Sequence, residues 1–418
     1  TAFLSSAASD VYKRQRLAGV DYVPAFPITP QTEIIETLAG WIDGGEMPAR
    51  LVTLESEHSM MTAAGSAAVT GVRVFSATSS QGLLYAMEML YTVAGWRAPL
   101  VLVNVSRGLS APITLEPDHN DILAARDSGC LQLHCASCQE VLDSILLAYR
   151  LAEDERVRLP VIVNLDGFYL SFTREPVQLP EGAAARQFVG DFDAGNIRFR
   201  ASTPLSHAVA VLGSGPYSYF RYQGHLAALN GVAVYAELAA EFEARFGRRH
   251  DAVEAYRADD ADYLFVMIGS FANKAREAVD RLREQGWAIG LVRPRLLRPL
   301  PVERLRQLLG GRRAVAVIDQ NISTGMGGVL HGEIAALLYG RRDAPPLLAS
   351  FIGGLGGRDI SSEEFFEIAR VLRDAAASGE TPPPRLLYTA TELREVRQLQ
   401  AVAGVERETL GAVSYTHL

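Results

Sequence analysis

The sequence predicts an α/β protein made of two parallel-sheet units. Three observations carry this reading. Short apolar runs alternate with helix-period segments; the runs are almost wholly apolar rather than alternating; and the alternation stops over Val177–Pro204, then resumes. Runs without a polar face suit strands covered on both sides, as in a parallel sheet.

The elements follow in order. Val20–Phe26 is the first apolar run, leading into Phe26-Pro27-Ile28-Thr29-Pro30-Gln31. Two prolines fix φ beside Ile28 and Thr29 and stiffen the backbone where Thr29 is displayed. Arg50–Leu54 leads to Glu55-Ser56-Glu57-His58 and the small-residue stretch Ala63–Ala68, which suits a closely packed helix. Val72–Thr78 reads as a strand ending in Thr78-Ser79-Ser80-Gln81-Gly82. Gln81–Ala94 is helical, with Leu83, Leu84, Met87, Leu90 and Tyr91 on one side. Pro99–Val105 is a strand followed by Arg107, and the helix Gln139–Ala152 precedes the strand Pro160–Leu165. In the second unit, Tyr263–Ile268, Ala288–Val292, Arg313–Ile318 and Phe351-Ile352 are strands, and Ala275–Gln285 is a helix stopped by Gly286. After Gly379, Thr381-Pro382-Pro383-Pro384 opens a polar tail of helical character.

Ligands of open α/β sheets sit outside the carboxyl ends of the strands. Four such ends in the first unit carry a hydroxyl, a carboxylate, a Ser/Thr/Gln loop and a guanidinium. That set suits a small anionic substrate. Glu57 could be a buried carboxylate tuned for proton chemistry, or could serve a helix macrodipole. Arg107 could grip a carboxylate bidentately, or belong to an internal ion pair. Thr29 could contact a ligand, or be a turn residue.

Bulk composition narrows the class. The chain has 418 residues, is 48% hydrophobic and 21% charged, and has a formal charge of −8. No Lys/Arg block stands out, which argues against nucleic acid. No apolar run reaches the ~18 residues of a membrane span. Three cysteines in so long a chain fit a reducing cytoplasm. Cys130-x4-Cys135-x2-Cys138 copies part of an iron–sulfur spacing, but it runs into a helix and lacks a fourth cysteine, so core or helix-cap thiols are expected. Gly325, Gly327, Gly328 and the 353–357 glycines read as tight turns; no G-x-G-x-x-G follows a first strand, so a nicotinamide site has little support. Gly190-Asp191 lacks the second glycine of a diphosphate-binding Gly-Asp-Gly motif and reads as linker.

The ends look foreign. Asp10–Gln15 and Val413–Leu418 can be encoded by one DNA and its reverse complement, and that DNA resembles a transposon mosaic end used in sequencing libraries. Residues 1–15 and 413–418 are therefore set aside, and a native N-terminal piece is expected to be missing. The remaining units are 16–185, a linker at 186–204, 205–379 and a tail at 380–412.

Taken in order, Phe26–Thr32, Glu55–His58, Thr78–Leu83, Arg107, Asp118-His119-Asn120-Asp121, Arg126-Asp127-Ser128-Gly129, Gln139-Glu140 and Asp166-Gly167-Phe168 resemble the alpha subunit of 2-oxoacid:ferredoxin oxidoreductases. Gly269-Ser270, Arg298–Pro301, Asp319-Gln320-Asn321 and Gly353–Asp359 resemble that subunit's second domain. The resemblance implies a pyrimidine-type thiamine-diphosphate-binding domain followed by a transketolase C-terminal-like domain. It implies thiamine diphosphate shared with a beta chain that brings Mg2+, iron–sulfur clusters on a delta chain, a gamma chain, and coenzyme A and ferredoxin as co-substrates. By the same resemblance Glu57 bonds the cofactor's pyrimidine nitrogen, Arg107 binds the substrate carboxylate and Thr29 lies beside it. Pro27, Ile28, Thr78, Ser79, Ser80, Gln81 and Gly82 line the cofactor pocket. Pyruvate is the expected 2-oxoacid, branched or aromatic 2-oxoacids the alternatives, and a non-catalytic assembly subunit the rival of another class. Glu116, in a segment that departs from the family, is expected near the substrate end.

Overall fold

The structure, a computed structural model, describes residues 2–6, 17–194, 199, 201–204, 206 and 210–409. The first unit holds β1 (Ala2–Ser6), β2 (Tyr22–Ala25), β3 (Arg50–Thr53), β4 (Phe75–Thr78), β5 (Val101–Ser106), β6 (Leu131–His134), β7 (Val161–Asp166) and β8 (Arg174–Gln178). β4, β5, β7 and β6 are parallel neighbours, as are β2 and β3. A parallel bridge between Tyr22 and Val74 joins the two groups, and Ser76 Oγ donates to the Pro24 carbonyl at 2.7 Å. The ends of β3, β2, β4 and β5 therefore stand side by side. The central strands β4, β5, β6 and β7 are buried at every position, which is why β4, β5 and β7 read as mainly apolar runs, while β6, with Gln132 and His134, does not read as a strand.

The second unit holds β9 (Val253–Tyr256), β10 (Tyr263–Val266), β11 (Ile289–Pro294), β12 (Leu296–Arg298), β13 (Ala314–Asp319), β14 (Leu348–Ile352) and β15 (Arg385–Leu386). Its sheet runs β15-β14-β13-β10-β11-β9, parallel except for β9. One hydrophobic core lies on the outer face of the first sheet, a second is shared by both units, and a third lies under helices Ala272–Glu284 and Ser362–Ser378.

Local patterns differ from the structure where distant packing intervenes. The helix expected over Gln81–Ala94 is two pieces, Ser80–Tyr85 and Met87–Gly95, nearly continuous because Ala86 N still bonds to Gly82 O. From the sequence the second unit starts at 205, ahead of its first strand. The helix Ser214–Phe246 buries Val234, Tyr235, Leu238 and Phe242 in the first unit's core, and the second sheet begins at Val253. β12 leaves its own unit and pairs antiparallel with β6 at the edge of the first sheet. The tail opens with β15 at the edge of the second sheet.

Of the ends set aside in the sequence, residues 7–15 and 413–418 lie outside the described residues. The backbone of Ala2–Ser6 does form a strand, β1, antiparallel to β8. An edge strand offers unpaired N–H and C=O groups to any extended chain, which sequence pattern does not reveal. Gly190, inside the expected linker, caps the helix Gly182–Val189 at φ 70° and accepts a hydrogen bond from Arg73.

The three cysteines are buried and form no disulfide among the described residues, with Cys130 in one core and Cys135 and Cys138 in another. Burial pushes the Cys130 and Cys135 thiols up to about 12. No helix among the described residues is long and apolar enough to cross a membrane.

Candidate active site

Glu57 opens the helix Glu57–Ala68, which follows β3. Ser56 caps that helix, accepting from the Ser59 N–H at 3.1 Å. Glu57 is only 5% exposed, and among the described residues no side chain donates to its carboxylate. Burial disfavours the charged form and raises its pKa.

The facing wall is the loop after β4. Thr78, Ser79 and Ser80 are fully buried, and the hydroxyls of Thr78 and Ser79 have no hydrogen-bond partner among the described residues. Ser80 sits at φ 49°, an uncommon conformation for a residue with a Cβ. Gly82 is required by contact: a Cβ there would meet Thr78 Oγ1 at 2.6 Å and Glu57 Cδ at 3.0 Å, with Glu57 Oε1 nearer still. The absent side chain lets the Glu57 carboxylate lie against this loop.

Arg107 follows β5 and is buried. Its Nη1 donates to the Thr29 carbonyl at 2.7 Å and its Nη2 to Gln81 Oε1 at 2.7 Å, while its Nε has no partner. Among the described residues no carboxylate lies within ion-pair distance of the guanidinium. Burial lowers its pKa, with the Asp121 charge opposing that shift. An arginine satisfied only by neutral oxygens in a buried position is poised for an anion.

The proline-bracketed loop closes the group. Gln31 N donates to the Ile28 carbonyl at 3.0 Å and Gln31 Nε2 to the Phe26 carbonyl at 2.9 Å, which ties the loop into a turn. Pro27 and Thr29 are exposed and Ile28 is half-buried. Thr29 thus meets Arg107 through its carbonyl and leaves its side chain toward solvent.

Sequence reasoning quoted Asp118–Asp121 only as a motif. The structure makes this segment the seam between the units. His119 N donates to Gln320 O at 2.8 Å, Ile322 N to Asn120 Oδ1 at 3.0 Å, Gly356 N to Asp118 Oδ2 at 3.3 Å and Gly357 N to Pro117 O at 2.7 Å. His119 Nε2 lies 2.7 Å from Asp166 Oδ1, both fully buried. Burial works against the imidazolium, but Asp166 outweighs it and raises the His119 pKa. Asp166 also accepts from Ser270 N at 2.8 Å and Ser270 Oγ at 2.5 Å in the second unit.

The Glu116 carbonyl accepts from Gly108 N at 3.0 Å, next to Arg107, while its side chain turns to the second unit. It packs against Gly357, where a Cβ would lie 2.5 Å from the Glu116 Cβ, so its side chain meets the second unit. Of the charged groups, Asp121 and not Glu116 bears on Arg107.

The residues fit thiamine diphosphate. Two orphaned buried hydroxyls, a buried carboxylate free to bond a ring nitrogen, and a glycine that leaves both accessible form a cradle for a flat polar heterocycle.

Comparison with known proteins agrees. A family model described as pyruvate flavodoxin/ferredoxin oxidoreductase, thiamine-diphosphate-binding, matches residues 14–232. A second, described as pyruvate:ferredoxin oxidoreductase core domain II, matches residues 261–365. The pyruvate synthase subunit PorA of Methanothermobacter thermautotrophicus is 41% identical over 87% of this chain and 94% of its own length. PorA of Pyrococcus abyssi is 37% identical over 88% and 93%. A solved 2-oxoglutarate:ferredoxin oxidoreductase from Magnetococcus marinus superposes with a TM-score of 0.68 at 19% identity. It covers 89% of this chain and 65% of that one, a likeness of fold.

Proposed function

The chain belongs to the pyruvate flavodoxin/ferredoxin oxidoreductase family, and from that premise we propose that it is the alpha subunit of a multi-chain pyruvate:ferredoxin oxidoreductase. The complex would convert a 2-oxoacid, coenzyme A and oxidised ferredoxin to acyl-coenzyme A, carbon dioxide and reduced ferredoxin. The observation that carries the reading is a buried Glu57 with no side-chain partner and a buried Arg107 with no carboxylate partner, both at the carboxyl ends of strands β3 and β5.

Glu57, Thr78, Ser79 and the Gly82 backbone would hold the aminopyrimidine of thiamine diphosphate. When bound, that cofactor supplies a carbon nucleophile for the 2-oxo carbonyl and accepts the electrons left as carbon dioxide departs. With its pKa raised by burial, Glu57 can hold a proton on a carboxyl oxygen and take it back. Arg107 would exchange its contacts with Thr29 O and Gln81 Oε1 for the two oxygens of the substrate carboxylate. The exposed Thr29 hydroxyl would add a hydrogen bond beside it, and Pro27 and Ile28 would hold that loop against the cofactor.

This chain supplies one wall of the site, and a beta chain bearing the diphosphate and Mg2+ would supply the other. Tyr85, Ile113, Leu115 and Ile322 are exposed apolar side chains on the elements around the site, as a docking rim would require. Iron–sulfur clusters would reside on a delta chain, with a gamma chain completing the assembly. The PorA relatives make pyruvate the first substrate to assay.

The test uses the complex reconstituted with its partner chains. Glu57→Gln should lower kcat with pyruvate by about 10²–10⁴-fold, the usual weight of a positioned acid or base, while the complex still assembles. Near-normal turnover would sink the proton role. A higher kcat/KM for 2-oxoisovalerate than for pyruvate would overturn the substrate assignment.

A further inference from the structure

We infer that Asp121 is the positioning residue that couples the substrate clamp to the cofactor wall, one buried carboxylate holding the backbones of Arg107 and Ser80 in a single arrangement. The inference rests on the roles proposed above for Arg107 and for the Thr78–Gly82 loop.

Asp121 is fully buried. Its Oδ2 accepts from Ser80 N at 3.1 Å, Asn104 Nδ2 at 3.1 Å and Arg107 N at 3.2 Å. Its Oδ1 accepts from Ser106 Oγ at 2.5 Å and Ile122 N at 2.7 Å. Five donors from three stretches of chain converge on one side chain. Two of them are the main-chain N–H groups of Ser80, in the cofactor loop, and of Arg107, the substrate clamp.

The two loops are tied at further points. Ser80 Oγ donates to Gly108 O at 2.9 Å, and Gln81 Oε1 accepts from Arg107 Nη2. Ser80 holds a positive φ, and such a conformation persists only where neighbours over-determine it. The bond from Ser80 N to Asp121 is one of those constraints. The Asp121 charge also favours the protonated Arg107 guanidinium, against the burial that lowers its pKa. The second unit grips the four residues just before Asp121, Pro117 to Asn120, through Gln320, Ile322, Gly356 and Gly357. Movement of the second unit would therefore reach Arg107 and the cofactor loop together.

An amide cannot replace this carboxylate fully. With its oxygen in the Oδ2 place, an asparagine turns its NH2 toward the Ile122 N–H, which can only donate. With its oxygen in the Oδ1 place, the NH2 meets three donors.

Asp121→Asn in the reconstituted complex is the experiment. The pyruvate KM and the dissociation constant of thiamine diphosphate, titrated directly, should each rise about tenfold, the weight of one hydrogen bond to a charged group. A residue that only stabilised the fold would lower the melting temperature and the active fraction while leaving both constants unchanged, and that result overturns the inference. If Asp121→Asn does not assemble, Ser106→Ala decides: removal of one donor should raise both constants about threefold, and unchanged constants overturn the inference. Arg107→Leu and Glu57→Gln run beside it. If they act as proposed while Asp121→Asn is neutral, the coupling alone fails. If they too are neutral, the reading of the site beneath it fails.

Discussion

Gly82→Ala probes the site without touching a polar group. The new methyl carbon would lie 2.6 Å from Thr78 Oγ1 and 3.0 Å from Glu57 Cδ, with Glu57 Oε1 closer still. Carbon and oxygen do not share such space, so something must move. Thr78 is fully buried on the end of a strand paired with β5, so its backbone is held. The Glu57 carboxyl is at the end of a side chain with rotatable bonds and gives way first. A buried methyl inserted into a packed site costs about 1–3 kcal/mol of stability. Displacing the carboxyl from its place should cost far more in rate, about 10²–10⁴ in kcat, because the proton is no longer held where it is needed. Gly82→Ala should therefore leave an assembled complex with a modest loss in unfolding free energy and a kcat near that of Glu57→Gln. The decisive assay is a double-mutant cycle on pyruvate-dependent electron transfer. If both changes act through the same carboxyl, Gly82→Ala adds little on top of Glu57→Gln. Additive losses, or a Gly82→Ala enzyme with normal kcat, would falsify the claim that the missing Cβ exists to seat Glu57.

Two further outcomes concern the frame around the site. Glu140 on the first unit accepts from Arg293 Nη2 at 2.5 Å and Arg295 Nη2 at 2.8 Å on the second, all of them buried, and Arg293 also pairs with Glu254. Burial opposes the Glu140 charge, but the two guanidinium groups outweigh it and lower the pKa. Glu140→Ala leaves two buried cations short of a partner and should cost about 3–5 kcal/mol in chemical unfolding; a loss below about 1 kcal/mol would show that the pair does not fasten the units. Asp319 ends β13 and accepts from Leu330 N at 2.8 Å and His331 N at 3.2 Å, and burial pushes its pKa up to about 7 from 3.8. The folded form then holds a proton that the unfolded chain releases, so this contribution is full below pH 3.8 and is lost as pH rises through about 7. Its span is on the order of 4 kcal/mol. Asp319→Asn should narrow the stability difference between acidic and mildly alkaline buffer, and an unchanged difference would refute the assignment.

Much of the fold is legible because strand and helix signals are local. Tyr263–Ile268 and Arg313–Ile318 read as strands, and Tyr263–Val266 and Ala314–Asp319 are strands. Their side chains are apolar because both faces are covered, a condition written into each residue. The gathering of Thr29, Glu57, Thr78–Gly82 and Arg107 was also foreseeable. Each follows a strand, and parallel strands deliver their carboxyl ends to one edge. Loop position put Glu116 near the strand ends, but its packing against Gly357 of the second unit is not in the local sequence, because a loop's side chains answer to the surface it meets. Asp121 escaped for a related reason. Its donors Ser80 and Asn104 lie 41 and 17 residues away, and nothing in Asp118-His119-Asn120-Asp121 names them.

The sequence by itself determined the α/β class, the strand ends and the chemistry that each end carries, since period, turn residues and functional groups are properties of short stretches. Tertiary structure alone decided that β12 of the second unit closes the first sheet, that Ser214–Phe246 packs on the first unit, and that Asp121 binds two loops into one site. Those outcomes depend on which open edge, apolar face or buried charge finds its complement in space. Hydrogen-bond satisfaction and burial are settled between residues far apart in the chain, so no local pattern records them.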